Sequence, residues 1–347
     1  MSITIRMTIL LLALAAAVAA TAAPAPPAPP ALPRSAPWHA LDDDGRSVVL
    51  AHSPNRLVSL SPGATAMIFA AGGGARLVGT VQFSIEPAAA RRIARIGDAH
   101  GYDLERILAL HPDVIVAWSG GASAAQLAPL ERAGLVIYRH HVVRLNDLAP
   151  SIERLGVLLG TPSVAHDAAA SLRGRIDQLR SQYRNPQPPR VLIQVWDRPV
   201  YTVGGAQLIS DAVEACGYRN LFADLADAAP AVALEAIASR DPEVILALAA
   251  DAPSARAWLL RWQALPALRA VRTGALLPFV DARLSRLGPE VVDATEELCR
   301  VLAARRPDAR PRKANGALTF GGPAPENHAH RRLQEGREPT IDAPGRH

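Results

Sequence analysis

A few large aromatic side chains stand out in a chain in which Phe, Trp and Tyr make up only 4% of the residues. Trp118 ends the β-branched run at 114–117, and Trp196 ends a similar run at 191–195 with Tyr201 just beyond it. Ligands of open α/β sheets bind beyond the carboxyl ends of the strands. Rings at these places therefore predict a flat, mostly apolar ligand.

One further ring and two charged groups occupy similar positions. Phe83 follows the apolar run at 77–80, and Asp281 ends the run at 276–280 with Arg286 close behind. A mostly apolar site needs only a few such polar groups to orient its ligand. We therefore add these three residues to the candidate ligand-binding set.

Each aromatic side chain could instead pack inside the fold. We prefer that interpretation for Trp262, because it lies in a helix-like segment. Trp118 and Tyr201 stand beside Gly-rich turns, where binding residues are more common than core residues. For these two we favour a binding cleft.

The sequence contains none of the common catalytic signatures. It has no Gly-x-Ser-x-Gly, no Gly-x-x-x-x-Gly-Lys and no His-Glu-x-x-His. Neighbouring residues in an extended strand point to opposite faces, so His140 and His141 cannot chelate one ion together without a bend. We interpret them as a solvated surface pair and keep His100 as a weak candidate metal contact. The prediction is a protein that is not an enzyme and has no resident cofactor.

An internal repeat indicates how these residues are positioned. Residues 104–117 resemble residues 234–247 at a constant offset of 130, and each copy is a short helix stopped by a Pro before a β-branched run. Glu105 and Glu235 occupy the same place in the two copies. The repeat predicts an α/β fold of two Rossmann-like lobes with parallel sheets and right-handed crossovers.

The longest helical pattern lies between the two copies, at 146–185. Its apolar face is interrupted at Gly160-Thr161-Pro162, and Ser163 is the expected N-cap of the longer second piece. We interpret the segment as a stiff backbone helix that joins the lobes, although an amphipathic helix within one domain has the same periodicity. Predicted strands lie near 56–60, 77–80, 114–118, 135–138, 190–196, 244–248 and 275–280, and the last helix near 289–304.

The ends of the chain predict export. Arg6, the apolar run at 7–20 and Ala20-Thr21-Ala22 form a cleavable signal peptide with no Cys for a lipid anchor. The mature protein is therefore expected in the periplasm and not as a lipoprotein. The predicted division is a signal peptide at 1–22, a Pro-rich linker and lead-in at 23–53, an N-terminal lobe at 54–144, a helical connector at 145–187, a C-terminal lobe at 188–304 and a disordered tail at 305–347.

The tail also accounts for most of the net charge. It holds nine Lys or Arg against five Asp or Glu, which is +4 of the net charge of +5. The predicted folded body is nearly neutral, so we reject nucleic acid as a partner. Cys216 and Cys299 are an even pair in an oxidising compartment, which favours a disulfide, with two buried free thiols as the alternative.

Several motifs together resemble the vitamin B12-binding group of the helical-backbone metal-chelate receptors of ABC importers. The resemblance covers residues 56 to 302, and its motifs are Arg-Leu-Val-Ser-Leu-Ser-Pro at 56–62, Leu-Glu-Arg-Ile at 104–107 with Pro112-Asp113, Trp118-x-Gly120-Gly121, Ala215-Cys216-Gly217 with Asn220-Leu221-Phe222, and Glu297-Leu298-Cys299. As a set, these motifs are more specific for the receptor fold than for the ligand.

The resemblance implies a class III periplasmic binding protein that acts as a monomer and delivers its ligand to a dimeric ABC permease. It implies that Glu105 and Glu235 pair with permease arginines, and that Cys216 and Cys299 form a disulfide. It also implies cobalamin or another corrinoid as the ligand, with contacts from Phe83, Trp118, Tyr201, Asp281 and Arg286. Trp196 joins this set through its place at a strand end.

Two departures from the family keep other ligands open. Ala99 and Ala229 stand where the family has aromatic residues, so Trp196 or Tyr102 would have to replace the lost rings. Haem would need a Tyr or His ligand, and Tyr102, His100 or Tyr201 could serve. A ferric siderophore would need several Arg or Lys, whereas the candidate cleft offers mainly Arg286 and Arg198. A tetrapyrrole metal chelatase is a bilobal alternative of a different class, which export disfavours.

Overall fold

The computed structural model describes residues 37–98 and 100–305. The predicted signal peptide at 1–22, the Pro-rich stretch at 23–36, Ala99 and the predicted tail from 306 lie outside the described residues. Among the helices that are described, none combines the length and the hydropathy that crossing a bilayer requires.

The N-lobe is built on a five-stranded parallel sheet with the order β5-β4-β3-β6-β7. Two further strands precede it as an antiparallel hairpin. The elements in chain order are β1 (Trp38–Leu41), β2 (Ser47–Leu50), β3 (Leu57–Ser59), α1 (Pro62–Ala70), β4 (Leu77–Thr80), β5 (Ala94–Arg95), α2 (Leu104–Ala109), β6 (Val114–Trp118), α3 (Ala124–Arg132) and β7 (Ile137–His140).

The connector consists of two helices, α4 (Leu148–Leu159) and α5 (Pro162–Gln182), which pack against each other. Gly160 ends α4 in the left-handed conformation (φ 68°), as a C-terminal glycine commonly does. The predicted break is therefore confirmed. The predicted N-cap is wrong, because Thr161 takes that place and Pro162 begins the helix, where a missing N–H costs nothing.

The C-lobe contains a four-stranded parallel sheet with the order β11-β10-β8-β9. Its elements are β8 (Arg190–Gln194), α6 (Leu208–Ala215), β9 (Arg219–Asn220), α7 (Leu234–Arg240), β10 (Val244–Leu248), α8 (Ala252–Trp262), α9 (Arg269–Arg272), β11 (Leu276–Phe279) and α10 (Val291–Ala303). The fold class predicted from the sequence, two parallel-sheet lobes joined by a backbone helix, is confirmed.

One buried cluster runs through the connector and into both lobes. It contains Val116 of β6, Ile193 of β8 and most of the inner face of α5. That face is the one predicted from the helical spacing, namely Ala165, Ala169, Leu172, Ile176 and Leu179. α5 also contacts α1 in one lobe and α6 and α10 in the other. Burial of its apolar face therefore holds both lobes against the same helix.

The hairpin of β1 and β2 lies within the predicted linker and lead-in at 23–53. The hairpin packs on α4, and Trp38 donates its indole N–H to the carbonyl of Leu158 at 2.9 Å. Val48 and Leu50 are buried, and Val49 between them is 47% exposed, as alternation along a half-buried strand requires. The segment from 38 to 50 is therefore folded against α4.

The disulfide is present, between Cys216 at the end of α6 and Cys299 in α10. Both residues are buried, and Tyr218 nearby donates its hydroxyl to the carbonyl of Leu302 at 2.8 Å. The last helix is thus fastened to the C-lobe both covalently and by a buried hydrogen bond. Trp262 is in the core as expected, with its indole N–H donated to Gln194 at 2.8 Å.

Candidate functional site

Trp118 ends β6 at the carboxyl edge of the N-lobe sheet and is only partly exposed. Its indole lies across the backbone of Gly120 and Gly121. A β-carbon at Gly120 would come within 2.6 Å of the ring atom Cζ2, and one at Gly121 would also collide with the ring. These two glycines are therefore required for the ring to lie flat on the turn.

Phe83 lies at the same edge of this sheet, beyond β4, and its side chain is 71% exposed. Its φ of 63° is in the left-handed region, which costs free energy in a residue with a β-carbon. Arg95 holds the loop by donating from Nη2 to the carbonyl of Ser84 at 3.0 Å. An exposed ring in a strained backbone conformation suits a ligand contact better than a core role.

Trp196 and Tyr201 are brought together by a short antiparallel bridge beyond β8. The amide of Tyr201 donates to the carbonyl of Trp196 at 3.3 Å, and the amide of Val195 donates to the carbonyl of Tyr201 at 2.9 Å. The ring of Trp196 is 59% exposed and meets Trp258 edge-on, with centroids 6.2 Å apart. Tyr201 also bridges to Ala231, so its position is fixed from both sides.

A cavity of about 500 Å³ opens at the carboxyl ends of the C-lobe strands. It is lined by Val195 after β8, Leu248 at the end of β10, Phe279 at the end of β11 and Asp281. Ala229 lies in its wall. The small side chain at Ala229, where the family resemblance expects a ring, therefore borders open space.

Asp281 has a partner that sequence reasoning missed. Its carboxylate accepts from Nη2 of Arg283 at 2.6 Å and from the Arg283 amide at 2.9 Å. Partial burial alone would raise the pKa of the Asp281 carboxyl, but the bonds from Arg283 and the charge of Arg286 hold it below its usual value. The carboxylate is thus ionised and compensated within the site.

The segment after Asp281 contacts the other lobe. The carbonyls of Arg286 and Leu287 lie against Gly63 in the first turn of α1, where a β-carbon would come within 2.7 Å of the Leu287 oxygen. Glu290 follows; burial raises the pKa of its carboxyl, and the charge of Glu86 in the Phe83 loop adds to that effect. The neighbourhoods of Phe83 and Arg286 therefore lie close to each other.

Glu105 and Glu235 are both exposed in the first turns of α2 and α7, at matching places in the two lobes. Within 37–98 and 100–305 neither carboxylate takes part in an ion pair. A cationic partner could therefore reach both of them.

His140 is corrected by the structure, because it is completely buried and not a surface residue. Burial lowers the pKa of its imidazole to about 4, against the opposing attraction of Asp43. The two neighbouring side chains do face opposite ways, but that of His140 faces the core. His141 remains exposed, and its Nδ1 lies 3.1 Å from Asp44.

The surroundings of His100 do not support a metal-binding site there. The His100 side chain is 95% exposed, and its Nδ1 lies 3.4 Å from Asp98. Among the residues that the structure describes, no three His, Cys, Asp or Glu side chains are grouped to hold an ion. His100 therefore lacks the further ligands that a metal site requires.

A second apolar cavity, which sequence reasoning missed, lies beside Trp196. It has a volume of about 370 Å³ and is lined by Trp258, Trp262 and Leu234, among others. Asp197 and Arg261 form an ion pair in its wall. Leu234 precedes Glu235, so this cavity adjoins the exposed carboxylate of the C-lobe.

Comparison with known proteins decides the family. The model of the periplasmic binding protein family matches residues 57–276. The chain belongs to this family. A vitamin B12-binding protein of Vibrio cholerae is 33% identical over 247 residues, which is 71% of this chain and 88% of that relative.

Solved structures of periplasmic binding proteins give the same assignment. The crystal structure of the periplasmic vitamin B12 binding protein BtuF of Vibrio cholerae matches with a TM-score of 0.66 and 32% identity, covering 74% of this chain and 99% of that one. A periplasmic haem binding protein from Pseudomonas aeruginosa matches with a TM-score of 0.62 and 28% identity, covering 74% and 95%. The family thus includes receptors for more than one metal chelate.

Proposed function

We propose that this chain is the substrate-binding protein of an ABC importer and carries cobalamin or a related corrinoid between its lobes to the permease. The observation that carries the proposal is the position of Trp118 and of the Trp196–Tyr201 pair, which stand at the carboxyl ends of two parallel sheets on either side of α5. Broad rings at these strand ends, together with the mostly apolar cavity at the carboxyl ends of the C-lobe strands, suit a large, flat, weakly charged macrocycle.

The charges around these rings argue against an anionic siderophore. Arg283 is paired with Asp281, and Arg261 is paired with Asp197. Arg198 also lies 3.7 Å from Asp197. An anionic chelate would have to displace an internal partner before it could use Arg283 or Arg261. Arg198 has only a share of Asp197, so mainly Arg198 and Arg286 would be left for such a ligand, which needs several cations.

Haem is the second candidate, since a haem receptor is among the similar structures. A tyrosine ligand to ferric haem acts as the phenolate. Burial raises the pKa of the Tyr102 phenol, which disfavours that form. The exposed ring of His100 is a weak alternative because it has no supporting shell. These features disfavour Tyr102 and His100 as haem ligands, so haem would depend on Tyr201, whereas a corrinoid needs no such ligand.

Delivery to the permease rests on Glu105 and Glu235. Exposed ion pairs add little affinity but orient an encounter, and two matched carboxylates fit a two-fold symmetric partner. We infer that each glutamate meets a basic residue of one permease subunit. The receptor is proposed to act as a periplasmic monomer exported by its signal peptide, without catalysis.

The test is a parallel titration of the purified mature protein with cyanocobalamin, haemin and a ferric siderophore, followed by visible absorbance and calorimetry. The proposal expects one equivalent of cyanocobalamin to bind more tightly than the other two. Tight binding of haemin with a shifted Soret band and no binding of cyanocobalamin would replace the corrinoid with haem. In a transport assay, Glu105→Ala with Glu235→Ala should impair uptake while leaving this affinity intact.

A further inference from the structure

The turn between β1 and β2 carries three consecutive aspartates that sequence reasoning did not single out. Asp42 is 2% exposed and accepts the amide of Arg46 at 2.8 Å, which closes the turn, and the amide of Arg139 at 3.3 Å. The Asp43 amide donates to the carbonyl of Arg139 at 2.9 Å. The turn is therefore fastened along the end of β7.

Asp43 connects the same turn to the connector. Its carboxylate, which is 1% exposed, accepts from the hydroxyl of Ser151 at 2.5 Å and from Nε of Arg154 at 2.6 Å, both on α4. It also accepts the amide of His141 at 2.8 Å. Three charge-assisted bonds to one buried carboxylate make this turn a rigid point of the N-lobe.

Asp44 extends from this rigid point to the loop after β6. One carboxylate oxygen accepts from the hydroxyl of Ser119 at 3.1 Å, and the other lies 3.1 Å from Nδ1 of His141. The amide of Ser119 donates to the carbonyl of His140 at 2.9 Å. Ser119 is therefore held through its backbone by β7 and through its side chain by Asp44.

Ser119 directly follows Trp118, whose ring rests on the two glycines after it. A Gly-Gly turn is conformationally permissive, and the amides of Gly121 and Ala122 close this one by donating to the carbonyl of Trp118 at 3.2 and 3.0 Å. Contacts from outside the turn add to these two bonds. We propose that Asp44 is a positioning residue for ligand binding: by holding Ser119 it fixes the 118–121 turn and keeps the Trp118 ring presented before the ligand arrives. This inference rests on the proposed function, because it assigns Asp44 a role through Trp118.

The expected loss of affinity follows from the order of the 118–121 turn before the ligand binds. A loop that is ordered before binding does not pay its conformational entropy during binding. Asp44→Ala and Ser119→Ala should each weaken cyanocobalamin binding by about fivefold to tenfold, the usual net scale of one solvent-exposed hydrogen bond. The double variant should bind no more weakly than the weaker single variant, because both changes remove the same bond.

The experiment measures cyanocobalamin affinity and dissociation rate for the full mature chain and these variants. Asp167→Ala, on the exposed face of α5, is the matched control for loss of one carboxylate, and its affinity should equal that of the wild type. Trp118→Ala supplies a background in which Asp44→Ala should have no further effect. Amide hydrogen exchange at 119–122 in the unliganded protein should rise in Asp44→Ala, while the thermal midpoint stays close to that of the wild type.

The outcomes separate this inference from the function it rests on. If the wild type binds cyanocobalamin and Asp44→Ala binds equally well, Asp44 has no positioning role. An equal loss from Asp44→Ala in the wild-type and the Trp118→Ala backgrounds would also overturn the inference, because the effect would not pass through Trp118. If the wild type binds no cyanocobalamin, the proposed function fails and the positioning role fails with it.

Discussion

The backbone carbonyl of Leu287 lies against Gly63, at 2.7 Å from the point that a β-carbon there would occupy. The C-lobe segment after Asp281 thus presses on the first turn of α1 without an intervening side chain. Leu287 itself has a φ of 60°, in the left-handed region. This contact places the two lobes directly against each other at a position with no room for a larger residue.

Gly63→Ala should therefore destabilise the protein. Alanine favours helix by nearly 1 kcal/mol over glycine, but here the added methyl must displace backbone atoms, and overpacking of that kind costs about 1–3 kcal/mol. Denaturant unfolding measures the difference. The matched control is Gly174→Ala in α5, where nothing lies within 4 Å, and this change should stabilise the chain by about 0.5–1 kcal/mol. Equal effects from both variants would contradict the contact.

The disulfide should contribute strongly to stability. Cys216 and Cys299 are 83 residues apart, and the chain-entropy estimate for a loop of that size is about 4 kcal/mol. The double variant Cys216→Ala with Cys299→Ala should lose stability on that scale, and reductant should have no further effect on it. Urea unfolding with and without reductant measures both quantities. A wild type that is insensitive to complete reduction would contradict the prediction.

His140 should make the protein sensitive to mild acid. Its pKa is lowered from 6.5 to about 4 in the folded protein, so its contribution to stability is fully present above pH 6.5 and is lost as the pH falls towards 4. Linkage gives a loss of about 3 kcal/mol over that range. His140→Phe should remove this part of the acid sensitivity, whereas the exposed control His141→Phe should not. Parallel pH profiles for His140→Phe and the wild type would refute the prediction.

Glu290 should have the opposite pH dependence. Burial, aided by Glu86, raises the pKa of its carboxyl above 4.5, so its favourable contribution is present below that pH and is lost as the pH rises through the folded value. Glu290→Gln should therefore be more stable than the wild type at pH 7, and the difference should shrink in acid. Glu105→Gln, at an exposed site, should change stability by less than about 0.5 kcal/mol. Urea unfolding at pH 7 and at a pH below 4.5 tests this prediction. A Glu290→Gln variant that is less stable than the wild type at pH 7 would contradict it.

The sequence predicts the architecture wherever a buried element has an uninterrupted or regularly spaced pattern of apolar residues. β6 and β10 lie at the predicted residues, because buried parallel strands are apolar throughout and the repeat presents the same pattern twice. The face of α5 was predictable from its spacing, since five small or apolar residues fall on one side over 21 residues.

Very short strands, and strands that combine apolar with polar residues, were not predictable in the same way. β5 and β9 have two residues each, and the hairpin from 38 to 50 alternates over only four residues per strand, so neither produces a distinct pattern. β7 runs from Ile137 to His140, later than the predicted 135–138, because it ends in polar residues that pattern reasoning assigns to a loop. The inward direction of His140 depends on that same register.

Residue type and position were enough to select candidate site residues from the sequence. The residues that they contact in the fold could not be predicted. Trp118, Trp196 and Asp281 follow strands and could be selected for that reason. The bond from Asp44 to Ser119 spans 75 residues, and the Gly63 contact joins opposite lobes. Contacts of this kind depend on tertiary packing and leave no local pattern in the sequence.

The most direct test of the central claim is a crystal structure of the mature protein grown with excess cyanocobalamin. We expect one corrin ring between the lobes, in contact with Trp118 on one side and with Tyr201 on the other, and the Asp281 carboxylate within hydrogen-bond distance of an amide of the ligand. A corrin bound elsewhere, for example in the cavity beside Trp258, or an empty gap between the lobes at saturating ligand, would contradict the account.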